Sequence, residues 1–460
     1  MGGLGGLLLC VLAGFGLMRA VWPAARGWGG HDPLRLAMAP SMGLGLLSLV
    51  YFAVRTVGGA GGGMAVGAFA VVALGLAGLA WWRAAGAAAE TRDWAKGPGW
   101  LWWIFGAVAG MAALTLALIL VASPHGEWDA WSIWNLRARF LFRAVEATAP
   151  FDPLLNSSHP DYPLLVPASV AGLWTWNGGE AQWLAAAVAV VFWASAVLVP
   201  VLVLARLRST TLGLTAGLAL AGMPLLTRNA SAMYADVVVG YFFAAAAGLG
   251  LLAVEKGAGR GAAALAGAAA GLAAWSKNEG LLFCGIVVVT FVGVVRSREE
   301  WRERWQLAGA LVAGMLAVLA FVGHFKYHYA PANDLVAVGK GVSMGARLLD
   351  FSRYSATFWG MAEGIFRFGD WMLPPVIVFG GWLALQGIRK MDRGMVFWPF
   401  LVGSLQLFGY LLVYVAGSER LEWQLETSVE RLLLQIWPVA VLGVLYLGKD
   451  SAGTERRGGP

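Results

Sequence analysis

Charge is scarce in this chain. Asp, Glu, Lys and Arg make up 13% of its 460 residues, about half the ~25% of an ordinary soluble domain, which excludes a conventional water-covered surface. Cysteine is nearly absent: Cys10 and Cys284 both fall inside apolar runs, so neither a disulfide framework nor a CxxC site is available. The stretch Leu7–Cys10 lacks a small residue before the cysteine and a basic leader, and reads as a membrane anchor rather than a lipoprotein cleavage box. A nucleotide loop is missing too, because the glycine run Gly58–Gly63 follows no strand. Nucleic acid is not an expected partner: the net charge is +7, but the basic residues sit in short clusters between apolar runs, where they set membrane topology.

What fills the chain instead is apolar. Hydrophobic residues make up 59% and the mean hydropathy is +0.68. Runs of about 20 apolar residues, each long enough to cross ~30 Å of hydrocarbon as a helix, recur from end to end. Much of this content is Gly and Ala, which lets helices approach closely in lipid. The expected fold is therefore all-α, a polytopic membrane protein of about thirteen spans, from Gly3–Met18 to Leu432–Leu447. The weakest span is Ala262–Trp275, short and only marginally hydrophobic. Alternate loops carry 20 of the 33 Lys and Arg, among them Arg19, Arg35, Arg83, Arg206, Arg208, Arg296, Arg389 and Lys449. The positive-inside rule places those loops in the cytoplasm and the N-terminus outside. We expect a cytoplasmic-membrane protein divided into an N-terminal three-helix module (1–99), a main transmembrane domain (100–448) and a cytoplasmic tail (449–460).

Two long loops then fall on the outer side, 123–182 and 324–371, with a shorter one at 417–431. The first opens with Glu127 and Asp129 just beyond a span. It continues as a helix in which Trp128, Trp131, Trp134, Phe140 and Phe142 alternate with Arg137, Arg139 and Arg143. Such a mixture suits the membrane interface. Two readings stand: a plain interfacial anchor with solvated carboxylates, or a place where an anionic lipid head docks on the arginines. Further on, three prolines between Asn156 and Pro167 fix an extended path that presents His159, Asp161 and Tyr162.

These motifs resemble the GT-C superfamily of membrane glycosyltransferases, nearest to its bacterial mannosyl-, arabinosyl- and galacturonosyl-transferase-like branch. The likeness runs from about Trp100 to Pro438. It rests on the acidic Glu127–Asp129 pair, the His159-Pro-Asp-Tyr162 stretch, Tyr234-Ala-Asp236, Ser276-Lys-Asn-Glu-Gly280 and Glu430–Pro438. It departs from the family in having three spans before the acidic loop, and Glu-x-Asp in place of Asp-x-Asp. The resemblance implies an inverting transfer, on the outer face, of a sugar from a polyprenyl-phosphate donor to a hydroxyl on a glycan, lipid or protein acceptor.

Such a reaction needs a carboxylate to take the acceptor's proton and fixed cations on the departing phosphate. Asp129 is the expected base, with Glu127 as helper or alternative. Lys277, Arg431, Arg137 and Arg139 are the candidate phosphate partners. His159, Asp161, Tyr162, Tyr234, Asp236, Asn278 and Glu279 are the candidate substrate contacts. A divalent ion is a candidate cofactor, with His324 and His328 as ligands at i, i+4. Each has a plainer alternative: Lys277 with Glu279 as a surface ion pair, Arg431 as an interfacial anchor, Asp236 as a helix-start carboxylate. The rival functions are a transporter or flippase of a lipid-linked sugar and a polysaccharide polymerase or ligase.

Overall fold

The structure, a computed structural model, describes residues 2–24, 31–87, 97–146, 148–255, 258–296, 300–331, 343–389, 397–418 and 420–449. Of the basic loop residues used for orientation, Arg26, Arg92, Lys96, Lys256, Arg298, Lys390, Arg393, Arg456 and Arg457 lie outside the described residues, as does the tail beyond Lys449.

The apolar runs become helices because a backbone in hydrocarbon has to satisfy its own hydrogen bonds. The chain begins with α1 (Gly2–Val21), α2 (Asp32–Thr56), α3 (Gly62–Arg83) and α4 (Gly99–Ala122). A π-helical turn over Ala130–Trp134 runs into α5 (Asn135–Arg143), and short 3-10 turns lead to α6 (Leu165–Asn177). Then come α7 (Gln182–Leu207), α8 (Thr210–Ala221), α9 (Pro224–Ser231), α10 (Ala235–Glu255), α11 (Gly259–Ser276), α12 (Glu279–Val295) and α13 (Trp301–His328). The last are α14 (Met344–Leu348), α15 (Phe351–Arg367), α16 (Pro375–Gln386), α17 (Trp398–Ala416) and α18 (Leu421–Leu447). Among the described residues all regular structure is helical, apart from one bridge between Ile388 and Gly448.

Among the described residues, nine helices are long and apolar enough to cross a membrane, or eleven if two bent pairs each count as one span. The chain is a multi-pass membrane protein. Thirteen spans were expected, and the difference has local causes. The pair α8 and α9 bends by 58°, and α15 with its 3-10 extension meets α16 at 87°, both where a proline opens the second helix and lacks the N–H to continue the first. The Ala262–Trp275 segment is α11, an Ala- and Gly-rich helix buried along most of its length. Helix α12, with 17 residues, is short for a span. Helix α18 begins at Leu421, so Arg431 lies well inside it rather than in a loop before it.

Helix α10, apolar on all sides, runs through the centre with its membrane-length stretch wholly buried, packed on α7, α11 and α18. Helix α4 is almost entirely exposed. The first three helices are not set apart from the rest. Ser41 of α2 donates to Ser195 at 2.6 Å, and the Trp275 indole donates to Ser48 at 2.9 Å. One apolar core runs from Cys10 to Tyr446. At one end of the bundle, Arg83 donates to the Ala20 carbonyl, Arg19 pairs with Asp32, and the Arg208 guanidinium reaches the Tyr446 and Gly448 carbonyls. The acidic and basic residues of the candidate site gather at the other.

A close crossing of α11 on α13 sets the positions of Lys277 and Lys326 at that second end. A Cβ on Gly267 would stand 1.8 Å from the Leu311 carbonyl oxygen, and one on Gly314 1.9 Å from that of Ala264. No side chain fits between the two backbones. Gly267→Ala should therefore force the helices apart and cost about 1–3 kcal/mol, read as a lower melting temperature in detergent. Gly75→Ala, in open space on α3, should leave it unchanged; equal behaviour of the two variants would contradict the close crossing.

Candidate active site

The site is built on one buried carboxylate. Asp236, in the first turn of α10, has no solvent exposure. Its Oδ1 accepts from Lys277 Nζ at 2.9 Å and Gln435 Nε2 at 2.6 Å. Its Oδ2 accepts from Arg431 Nε at 3.0 Å and Nη2 at 2.8 Å. Four donors occupy the four lone-pair directions of an ionised carboxylate, which is what keeps a buried charge tolerable. The plain role of a helix-start carboxylate does not describe this residue, although its place at the positive end of α10 is also favourable.

Lys277 closes the C-terminal end of α11, where a cation is favoured. It is 4% exposed and pairs with Glu279 at 3.0 Å as well as with Asp236, so it is not a surface ion pair. Burial works against its charge, yet Asp236 and Glu279 outweigh that and raise the ammonium above its ordinary value. Arg431 is brought in by α18, one helical turn before Gln435, and its guanidinium lies 4.6 Å above the Tyr234 ring. Its Nη2 is shared: besides Asp236 it reaches Asp129 Oδ2 at 2.5 Å. Asp129, Glu279 and Arg431 are partly open, with side chains 13%, 20% and 26% exposed.

Asp129 is delivered by the turn before the π-helical segment. Gly126 adopts φ +71°, a conformation glycine takes without penalty, and the Glu127 N–H donates to the Ala232 carbonyl at 3.2 Å. Glu127 itself is exposed. Burial raises the Tyr234 and Tyr162 phenols above their ordinary values, so both stay protonated near neutrality and the carboxylates are the groups able to take a proton.

The Pro-rich loop forms a second layer. Tyr162 stacks between Trp134 at 5.7 Å and His159 at 4.9 Å, and Lys277 Nζ lies 5.7 Å from its ring centre. His159 holds φ +48°. The loop is clamped through its carbonyls by Arg137, which donates to Tyr162 at 2.6 Å, Pro160 at 3.4 Å and His159 at 3.5 Å. Burial pulls the Arg137 guanidinium below its ordinary value, and Asp161 pulls it back. From the other side, Lys326 of α13 donates to the Asp161 carbonyl and to Asn278 Oδ1, while Asn278 Nδ2 donates to Asp161 Oδ2 at 2.7 Å.

The structure thus joins Asp129, Tyr234, Asp236, Lys277, Glu279 and Arg431, with Asp161, Tyr162, His159 and Asn278 alongside. Arg137 holds the loop, and Arg139 pairs with Glu180 at 3.5 Å, as does Arg143. His324 and His328 stand with ring centres 4.6 Å apart. Among the described residues, no three His, Cys, Asp or Glu side chains come together as metal ligands. Three members were not picked out from the sequence. Gln435, four residues after Arg431, was legible as a polar group on the same helix face. Lys326 was legible as a charge at the end of a span. Tyr410, which donates to Gln435 Oε1 at 2.5 Å, left no such signal.

Asp236→Asn should remove the counter-charge that Lys277 and Arg431 share, leaving the buried Lys277 with Glu279 alone and Arg431 with Asp129 alone. Breaking a buried pair in this way costs about 3–5 kcal/mol, and a melting temperature equal to wild type would count against this account. Folding raises the Lys277 pKa, so its contribution to stability is complete below the unfolded value of about 10.4 and disappears only above the raised folded one. The melting-temperature gap between wild type and Lys277→Met should stay constant from about pH 7 to about pH 10; a gap that closes in this window would refute the assigned pairing.

Comparison with known proteins found no family model, no curated protein and no solved structure that matches this chain.

Proposed function

We propose that this protein is an inverting membrane glycosyltransferase, using a polyprenyl-phosphate sugar as donor and a hydroxyl on a glycan, lipid or protein as acceptor, on the outer face of the cytoplasmic membrane. One observation carries the reading: a partly exposed carboxylate, Asp129, shares a guanidinium N–H group with a fully buried one, Asp236, beside a second buried cation. The sequence motifs supply the chemistry; the thirteen-span topology that puts this end outside belongs to the same proposal.

In this arrangement the donor's phosphate competes for Arg431. Asp236 is locked by four donors and does not yield, whereas Asp129 is held by one and is partly in solvent. A phosphate docking on the open edge of Arg431 displaces Asp129, whose freed oxygen then faces the acceptor hydroxyl. As the hydroxyl oxygen attacks the anomeric carbon, Asp129 takes its proton. The bond to the phosphate oxygen breaks, and the charge growing there is met by Arg431 and Lys277, already oriented by Asp236. The carboxylate is released only when a phosphate is present, so the base is masked in the empty site.

The bends between α8 and α9 and between α15 and α16 support a second reading, a carrier of lipid-linked sugar, because interrupted helices are frequent in transporters. The two separate in one assay set, with purified protein in nanodiscs and a panel of polyprenyl-phosphate sugars. For the transferase, Asp129→Asn should cut transfer by about a hundredfold or more while donor binding is kept or tightened, since the competing charge is gone. Unchanged transfer moves the base to Glu127 or Asp161. Donor bound and moved across liposomes without turnover favours the carrier, and no binding at all ends both.

A further inference from the structure

Helix α18 has a second functional face. Residues two apart on a helix point about 200° from one another, so Leu433, Ile436 and Trp437 turn away from Arg431 and Gln435. They face α15, α16 and α17 across a groove of about 370 Å³, within the range of small-molecule clefts. Its walls hold two polar groups, the Ser404 hydroxyl and the Trp437 indole N–H. Trp437 is 7% exposed and set edge-on to Phe368, Trp371 and Phe379, with ring centres 5.5 to 5.9 Å away. Its Nε1 is buried and has no acceptor among the described residues. A buried donor without a partner is costly, and most such groups in proteins are satisfied by something.

Two lining residues of the groove, Phe368 and Leu433, have charged sequence neighbours. Asp370 follows two residues after Phe368, at φ +57°, and Glu430 lies one turn before Leu433. Between them stands Arg228 of α9, 3.0 Å from Asp370 and 3.7 Å from Glu430. All three side chains are between 42% and 53% exposed. One cation and two carboxylates therefore neighbour an apolar slot, one of whose lining residues, Trp437, carries an unused hydrogen-bond donor.

We propose that this groove binds a glycerophospholipid with a zwitterionic aminophosphate head. One acyl chain lies in the slot, and its ester carbonyl accepts the Trp437 N–H. The phosphate pairs with Arg228, and the ammonium sits between Glu430 and Asp370. An anionic head brings no ammonium, so its phosphate would compete for Arg228 with two carboxylates and offer them no cation in return. A polyprenyl phosphate has neither an ester carbonyl nor an ammonium, so this is a site apart from the one around Asp236, and it stands whether or not the transferase reading holds.

The test is native mass spectrometry of the full-length, delipidated protein offered equal amounts of phosphatidylethanolamine and phosphatidylglycerol. Wild type should retain one phosphatidylethanolamine with about tenfold preference. Gly380 lines the groove, and a Cβ there meets nothing within 4 Å, so Gly380→Leu fills the slot without a clash at its base. It should reduce retention about tenfold with the melting temperature near wild type. Trp437→Phe keeps a ring but removes the donor, and should weaken binding roughly three- to tenfold; it carries the test if Gly380→Leu does not fold. Glu430→Gln combined with Asp370→Asn should erase the preference between the two lipids. Equal retention of both lipids by wild type, unchanged retention in Trp437→Phe, or a preference that survives the paired head-group substitutions overturns the proposal.

Discussion

Asp236 has no water to solvate it, so the four donors around its two oxygens have to come from the protein, and that requirement organises the whole end of the bundle. Lys277 arrives at the end of α11, Arg431 and Gln435 from inside α18, and the carboxylate itself from the start of α10. Two consecutive helices and a third 195 positions further on are tied through one residue. Buried ion pairs of this kind contribute little net stability once desolvation is counted. What they supply is fixed orientation: two cations held toward one carboxylate.

Fixed charge becomes useful only because its balance is uneven. Asp236 is saturated, while Asp129 holds Arg431 by a single contact at the solvent edge. Under the proposed function, an incoming anion has one carboxylate it can displace and one it cannot. The Pro-rich loop is held just as firmly from behind, with its carbonyls taken by Arg137 and Lys326. Arginines that look in sequence like ligands for a lipid head are divided in the fold. Arg137 is buried as a clamp, Arg139 and Arg143 are spent on Glu180, and Arg431 alone reaches the centre. Helix α18 then separates two environments, the charged cluster on one face and an apolar groove on the other.

Much of this was legible residue by residue. Asp129, Tyr234, Asp236, Lys277, Glu279 and Arg431 stand out because an ionisable or polar group beside an apolar run needs a reason to be there. The sequence carries that signal without the fold. It is silent on pairing: Lys277 with Glu279 reads as a local ion pair, and nothing in the chain order points to Asp236, 41 positions earlier, as its second partner. Helix α6 was missed because Leu165–Asn177 is too short for a span and follows prolines, yet it is almost wholly buried against its neighbours. Hydropathy has a related blindness: by length and composition nine to eleven helices among the described residues qualify as spans, and it does not separate a helix that faces lipid from one, like α10, enclosed by other helices.

By itself, then, the sequence determined the class of the molecule, a helical multi-pass membrane protein. Long apolar runs with few charges leave the backbone no other way to satisfy its hydrogen bonds in hydrocarbon. It also determined which side chains are chemically conspicuous. Tertiary structure alone decided which of them meet, which oxygen each donor reaches, and which carboxylates stay open to solvent. Those outcomes depend on close helix crossings such as Gly267 on Leu311, where contact between backbones far apart in sequence, and not local preference, sets the geometry.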